Sequence, residues 1–358
     1  LKALISYNQN KYVDVISLLS GNENIESLLL LSYAYRGKGD INYALVILES
    51  IKKKLNTNSI NLDKILISQG SLYFLSGDYE KAKQFYHAGL NEAVKNQNSR
   101  EQAKANINLG IIDDQNGEYD SARSKYKSAL KFAEDIEDID LQGTVLSELG
   151  VSYSYTNNLV EAKNTYENSY KILKVINNKE KLSNLSANIA SIYSQLYNYP
   201  ISLSYYIKGL DFAGENINSR IINLRGIGDV YSNLSNYSKA LEYYNKAKEN
   251  SASIKNIDLE SSVDMSIGTL YFNINKSEKA LETFLKIEEK SNQINDPYLV
   301  EDLNFKIGLC YTDLKNYKLA KEFYGNGLLI SQTQQDIYYQ ILISSELAYS
   351  EYLNSNSV

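Results

Sequence analysis

A chain of 358 residues with 43% apolar and 22% charged side chains has the composition of a folded protein, and it contains no apolar run long enough to span a bilayer. The net charge of -6 argues against a nucleic-acid partner, because the densest basic run, "IKKKL" at 51–55, is too short and too isolated to follow a phosphate backbone. One histidine, His87, and one cysteine, Cys310, leave no His/Cys metal cluster, no internal disulfide and a single candidate base for a Ser-His-Asp arrangement, so no cofactor, metal or catalytic residue is expected.

In chain order, residues 1–21 read as a partial repeat, 22–332 as full repeats and 333–358 as a capping or truncated helix, together one solenoid over 1–358. The register is set by small residues at Val15, Ala44, Ala82, Ala122, Ala162, Ser202, Ala240, Ala280 and Ala320. From Ala82 onward their intervals are 40, 40, 40, 38, 40 and 40 residues. Twelve positions earlier stand Gly70, Gly110, Gly150, Ala190, Gly228, Gly268 and Gly308. Three aromatic columns accompany them: Tyr73, Tyr153, Tyr193, Tyr231, Tyr271 and Tyr311; then Tyr79, Tyr119, Tyr199, Tyr237 and Tyr317; then Tyr86, Tyr126, Tyr166, Tyr206, Tyr244, Phe284 and Tyr324.

Spacings of three, four and seven place these residues on one face of a helix. Polar turns such as "SGD" at 76–78 and "NGE" at 116–118 break each repeat into two helices. Small residues let the two antiparallel helices approach, and the tyrosines fill the space between successive pairs, so core packing is expected of the tyrosines in these columns, which with Tyr12 and Tyr35 are 19 of the 32. Pro200 is expected to open a second helix, Asp296 to cap a helix that starts at Pro297, and "SREQ" at 99–102 to form a capping box. Asp336 to Asn354 reads as the first helix of a further repeat.

The Gly/Ala, Tyr, Gly, Tyr, Ala, Tyr, Ala pattern resembles the tetratricopeptide repeat over nearly the whole chain, in the lengthened 40-residue form. It is similar to the repeat regions of kinesin light chains, of Rap-type bacterial peptide receptors and of bacterial sensor and regulatory proteins. The resemblance implies an all-α fold, a right-handed superhelical α-solenoid of about 8–9 stacked antiparallel helix pairs. A Rap-type protein would add an N-terminal bundle, which the partial repeat at 1–21 does not supply.

Candidate chemistry elsewhere is thin. His87 reads as a surface or groove-edge residue and Cys310 as a small buried hydrophobe. "RGIGD" at 225–229 lies mid-helix without a preceding strand, and "EDIEDID" at 134–140 lacks the spacing of a calcium loop. Asp113 occupies a position where Tyr73 and Tyr153 pack, so its carboxylate must be paired or exposed at a seam.

A second stripe runs along each first helix at i, i+4, i+7 and i+11. It includes Asn108 and Gln115, then Glu148, then Asn184, Asn188 and Gln195, then Asp229 and Asn233, then Asn273, and finally Lys306, with Arg225 four residues before Asp229. The resemblance implies that this stripe lines the concave surface. Its side-chain amides offer donors and acceptors to an extended backbone, and Arg225 offers a partner for a carboxylate. The chaperone-tail carboxylate-clamp pattern is absent from adjacent repeats.

The expected role is therefore a non-enzymatic scaffold for a protein or extended peptide, with no nucleic acid and no membrane insertion of this region. Starting at Leu1 without an initiator Met, the chain reads as a fragment or processed product, the sensor or regulatory region of a larger bacterial signalling protein with further domains. A Rap-type peptide-pheromone receptor and a self-associating structural scaffold are the alternatives. The compartment is cytoplasmic by default and extracytoplasmic for a sensor region.

Overall fold

Seventeen residues make just under five turns of helix, about 25 Å, and that length recurs along the chain. The computed structural model describes residues 2–8, 11–55, 61–254 and 256–355, and these hold 19 α-helices and no strand. Two compact units divide the chain after Asn177. The first contains α1 (Lys2–Asn8), α2 (Tyr12–Leu19), α3 (Ile25–Lys38), α4 (Ile41–Lys54), α5 (Leu62–Leu75), α6 (Tyr79–Lys95), α7 (Ser99–Gln115), α8 (Tyr119–Asp135), α9 (Ile139–Tyr155) and α10 (Leu159–Val175). The second contains α11 (Lys179–Gln195), α12 (Tyr199–Ala213), α13 (Ile217–Asn233), α14 (Tyr237–Ser251), α15 (Ile257–Asn273), α16 (Ser277–Glu288), α17 (Pro297–Asp313), α18 (Tyr317–Gln334) and α19 (Ile337–Ser355).

Within each unit every helix packs on its neighbours in sequence, and the first helices of successive pairs also touch one another. Each unit is thus an α-solenoid segment with its first helices gathered on one side. Ala82, Ala122, Ala162, Ala240, Ala280 and Ala320 are fully buried at the helix crossings, and Ser202 joins them by donating its hydroxyl to the Ala190 carbonyl at 2.7 Å. The glycines ahead of them are seats for rings. A Cβ at Gly110 would stand 2.7 Å from the Tyr126 ring, and one at Gly228 would stand 2.5 Å from Tyr244.

The three aromatic columns differ in environment. The column of Tyr126 and Tyr324 is buried, and its hydroxyls bond to first-helix side chains: Tyr126 donates to Asp114 Oδ2 at 2.9 Å, and Tyr324 pairs with Thr312 at 3.2 Å. Tyrosines of the Tyr73 column are half-buried, and four of the six stack on a second-helix ring twelve residues later, whereas Tyr153 and Tyr271 have Thr165 and Thr283 at that position. Tyr73 lies 5.1 Å from Phe85, Tyr231 lies 5.6 Å from Tyr243, and Tyr193–Tyr205 and Tyr311–Phe323 repeat the arrangement. Tyr79 is 44% exposed and leans on Phe74.

Helix ends explain much of the asparagine. Asn98, Asn178, Asn216 and Asn256 cap first helices, and Asn198, Asn236 and Asn316 cap second helices, each accepting a backbone N–H from the first turn. Asp296 caps α17 with Pro297 at its start, and Pro200 sits in the first turn of α12, as the sequence suggests. The capping box expected at 99–102 is replaced by a simpler device. Asn98 is the cap, one residue earlier, and Gln102 donates instead to the Ala93 carbonyl at 3.2 Å.

The turn inside each repeat needs one left-handed residue. Gly77 and Gly117 supply it at φ 81° and 75°, whereas Asn157, Tyr197, Ser235, Asn275 and Lys315 adopt the same conformation with a side chain. For Lys315, at φ 62°, relief of roughly 1–2 kcal/mol of left-handed strain should exceed the roughly 0.5–1 kcal/mol entropic cost of glycine. Lys315→Gly should therefore raise the urea midpoint of unfolding, by about 0.5–1 kcal/mol in stability.

Glu301 is a buried acid of another kind. It is 1% exposed, and neither carboxylate oxygen has a hydrogen-bond partner among the described residues. Burial, reinforced by the charges of Asp336 and Asp302, pushes its carboxyl up to about 7. A raised carboxyl stabilises the fold while protonated; that contribution is complete below its unfolded value and is lost as pH climbs through about 7. Melting curves at pH 5 and pH 8 should show a stability loss at the higher pH that is smaller in Glu301→Gln than in the wild type.

Candidate functional site

The residues that invited a catalytic reading fall on separate helices. His87 is exposed on α6, and partial desolvation together with the charges of Lys83 and Lys125 lowers its pKa. Cys310 is fully buried and its thiol is pushed up to about 12 by that burial. "EDIEDID" is the end of α8 and the turn into α9, with Asp138 as the cap. In "RGIGD", Gly226 and Gly228 seat the rings of Tyr206 and Tyr244. Among the described residues no group of three or more His, Cys, Asp or Glu is arranged to hold a metal.

Asp113 is 1% exposed and paired, with Lys125 Nζ and with Ser121 Oγ, which donates at 2.6 Å. Positions 113 and 125 are those that hold a stacked aromatic pair at 73/85, 193/205, 231/243 and 311/323, so this repeat has an ion pair where those four have a ring stack. The adjacent Asp114 is also buried, accepting from Tyr126 and from Ser152 Oγ at 2.7 Å, and burial raises its pKa.

Polar stripe residues converge in the second unit. Side chains of α13, α15 and α17 enclose a cleft of about 360 Å³. From α13 come Arg225, Asp229, Ser232 and Asn233. Ser262, Ser266, Thr269 and Asn273 face them from α15, and Asp302 from α17. Met265, Leu270 and Leu299 supply the apolar wall, and Tyr244 of α14 reaches the same space.

Inside the cleft the charges are arranged unevenly. Asp229 Oδ1 accepts from the Tyr244 hydroxyl at 2.7 Å, with Ser266 as a second donor. Burial raises the Asp229 pKa and the nearby Arg225 charge opposes the rise. Asp302 Oδ1 accepts from Tyr339 at 2.9 Å. Arg225 lies close enough to Tyr206 and Tyr244 to act on both hydroxyls electrostatically. Yet among the described residues no hydrogen bond or ion pair reaches its guanidinium, and its Nε is buried without a partner.

The family model described as Tetratricopeptide repeat matches residues 63–91, 226–253 and 301–333. The chain carries tetratricopeptide repeats. Among solved structures, a Rap protein complexed with Competence and Sporulation Factor is similar with a TM-score of 0.62 and 14% identity, over 92% of this chain and 97% of that one. A tetratricopeptide repeat protein from Parabacteroides merdae gives 0.58 and 18%, over 81% and 99%. A signal transduction ATPase with a tetratricopeptide repeat sensor, from Pyrococcus horikoshii, gives 0.59 and 20%, over 94% of this chain and 50% of that one. At these identities the likeness is one of fold. No curated protein matches the sequence significantly.

Of the stripe residues expected to bind a partner, the tetratricopeptide units bring Arg225, Asp229, Asn233 and Asn273 into one cleft. Asn184, Asn188 and Gln195 lie on α11, where Asn184 accepts from Ser219 Oγ at 3.0 Å and Gln195 contacts Ser191 at 3.4 Å. Lys306 lies on α17 with its ammonium over the Phe305 ring. Asn108, Gln115 and Glu148 belong to α7 and α9 of the first unit. The hydroxyls of Ser262, Ser266 and Thr269 occupy the same stripe on α15, where neither an amide nor a charge marks them in the sequence.

The exchange of stack for ion pair is open to a mutant cycle. Lys125→Ala should cost roughly 2–3 kcal/mol, below the range for a fully buried pair because water reaches Lys125. Asp113→Tyr/Lys125→Phe, which installs the stack seen at Tyr73 and Phe85, should lie within about 1 kcal/mol of the wild type or above it in thermal melts.

Proposed function

We propose that this chain is a non-enzymatic repeat scaffold that holds a protein or an extended peptide segment against its first helices, with the cleft of α13, α15 and α17 as the anchoring site. The observation that carries the reading is the cleft itself. Three successive first helices turn hydroxyls, amides and one guanidinium into a single space of about 360 Å³, a volume suited to a side chain and its flanking backbone. Amides such as Asn233 and Asn273, both exposed, can donate to and accept from a peptide backbone. The remaining stripe residues, Asn184, Asn188, Gln195 and Lys306 in this unit and Asn108, Gln115 and Glu148 in the first, are proposed as secondary contacts.

The finer reading is a sensor or regulatory region of a bacterial signalling protein. Two neighbours support it: one solved structure pairs a Rap protein with Competence and Sporulation Factor, and another contains a tetratricopeptide repeat sensor. A soluble receptor of the Rap type is the alternative within the same class. No described helix is long and apolar enough to cross a membrane.

An array of immobilised short peptides of scrambled sequence tests the reading with the purified chain. The wild type should retain a subset of peptides, and Asn233→Ala/Asn273→Ala should weaken that retention about tenfold, the loss of one or two net hydrogen bonds. Absence of binding to any peptide, or equal binding by the double variant, would overturn the site. Mass rising with concentration in light scattering, in the absence of peptide binding, would favour the self-associating alternative.

A further inference from the structure

Arg225 and Asp229 stand four residues apart on α13, the spacing at which opposite charges on a helix ordinarily meet. They do not pair. The Asp229 carboxylate is engaged by Tyr244 of the following helix and by Ser266 of the next first helix, and Arg225 is left with a buried Nε that no described group satisfies. A desolvated guanidinium nitrogen without an acceptor is costly to keep. The terminal nitrogens of the same guanidinium are not buried and make no hydrogen bond to a described residue, so in the wall of the cleft they are open to an anion.

We infer that Tyr244 and Ser266 hold Asp229 off Arg225, and that the guanidinium so released is the specificity determinant of the cleft, reading one carboxylate on the bound segment. The inference rests on the proposed peptide-binding reading of the same cleft and adds the chemistry of its ligand. A carboxylate fits better than a phosphate. Asp229 and Asp302 both line the cavity beside the single cation, so a dianion is repelled about twice as strongly as a monoanion, which the guanidinium and the surrounding hydroxyls can hold. The carboxylate can belong to an Asp or Glu side chain or to a peptide C-terminus; the shared chemistry is one delocalised negative charge presented to a planar donor fork.

Tyr244 is then a positioning residue. Removing its hydroxyl lets Asp229 turn to Arg225 and close an internal ion pair, which blocks the ligand by occupying the guanidinium. Mutating Asp229 in that background frees the guanidinium again.

The test uses positional peptide arrays in matched sets carrying Glu, Gln or phosphoserine at each site, with free or amidated C-termini, probed with folded variants whose melts match the wild type. The wild type should prefer Glu over Gln at one position, or a free over an amidated terminus, by about tenfold, the worth of one charge-assisted bond. Arg225→Gln should erase that preference. Tyr244→Phe should reduce it severalfold with Arg225 intact, and Tyr244→Phe/Asp229→Asn should restore it, a rescue that a merely structural role for Tyr244 does not produce. Peptide binding without acidic preference, a preference for phosphoserine, or full discrimination in Tyr244→Phe would overturn the inference and leave the peptide-binding reading standing. Failure of the wild type to bind any peptide would remove both.

Discussion

The close approach of two antiparallel helices governs the construction of each unit. It depends on a missing Cβ at positions such as Gly110 and Gly228, where the rings of Tyr126 and Tyr244 rest against backbone. The rings in turn carry hydroxyls that need partners once buried. This is why Ser, Thr or Asp recurs on the first helix within reach of them, as Thr312 does for Tyr324 and Asp114 for Tyr126. One steric requirement therefore propagates into a polar one, and both repeat because no helix pair can bury its own face.

What the packing leaves unconstrained is the side of the first helices turned away from their partners. Residues there vary in character from repeat to repeat. Arg225 and Met265, for example, both reach the same cleft. The Asp229 carboxylate shows how the two systems touch. It satisfies a core tyrosine and lines the cleft at once, so the identity of a groove residue is tied to the hydroxyl of the fold behind it.

Much of the architecture was legible because periodicity reports backbone geometry. The glycine and tyrosine columns, the proline at the start of α17 and the final helix after Asp336 each follow from spacing and capping chemistry alone. Pairings between columns were harder. Asp113 departs visibly from its own column, whereas Lys125 belongs to the column of Phe85, Tyr205, Tyr243 and Phe323, whose aromatic character lapses too often along the sequence to mark it as the stacking partner. The cap of α7 was misplaced by one residue, since Ser99 and Asn98 are both good caps and only the backbone decides between them. In the cleft, the four-residue spacing of Arg225 and Asp229 is in itself that of a helix-surface pair. The hydroxyls that separate them come from residues 15 and 37 positions further along the chain, beyond the reach of a helical pattern.

Cys310 illustrates how packing can determine what a chain does not do. Fully buried and with its thiol pushed up to about 12, it carries almost no thiolate near neutral pH and offers no path to a reagent. In its folded form the chain is expected to react slowly with alkylating probes and in thiol exchange. A pair of cysteines introduced on exposed faces of one unit therefore accepts dyes against a clean background, and the spacing of first helices around the cleft becomes an optical observable without any change to the native core.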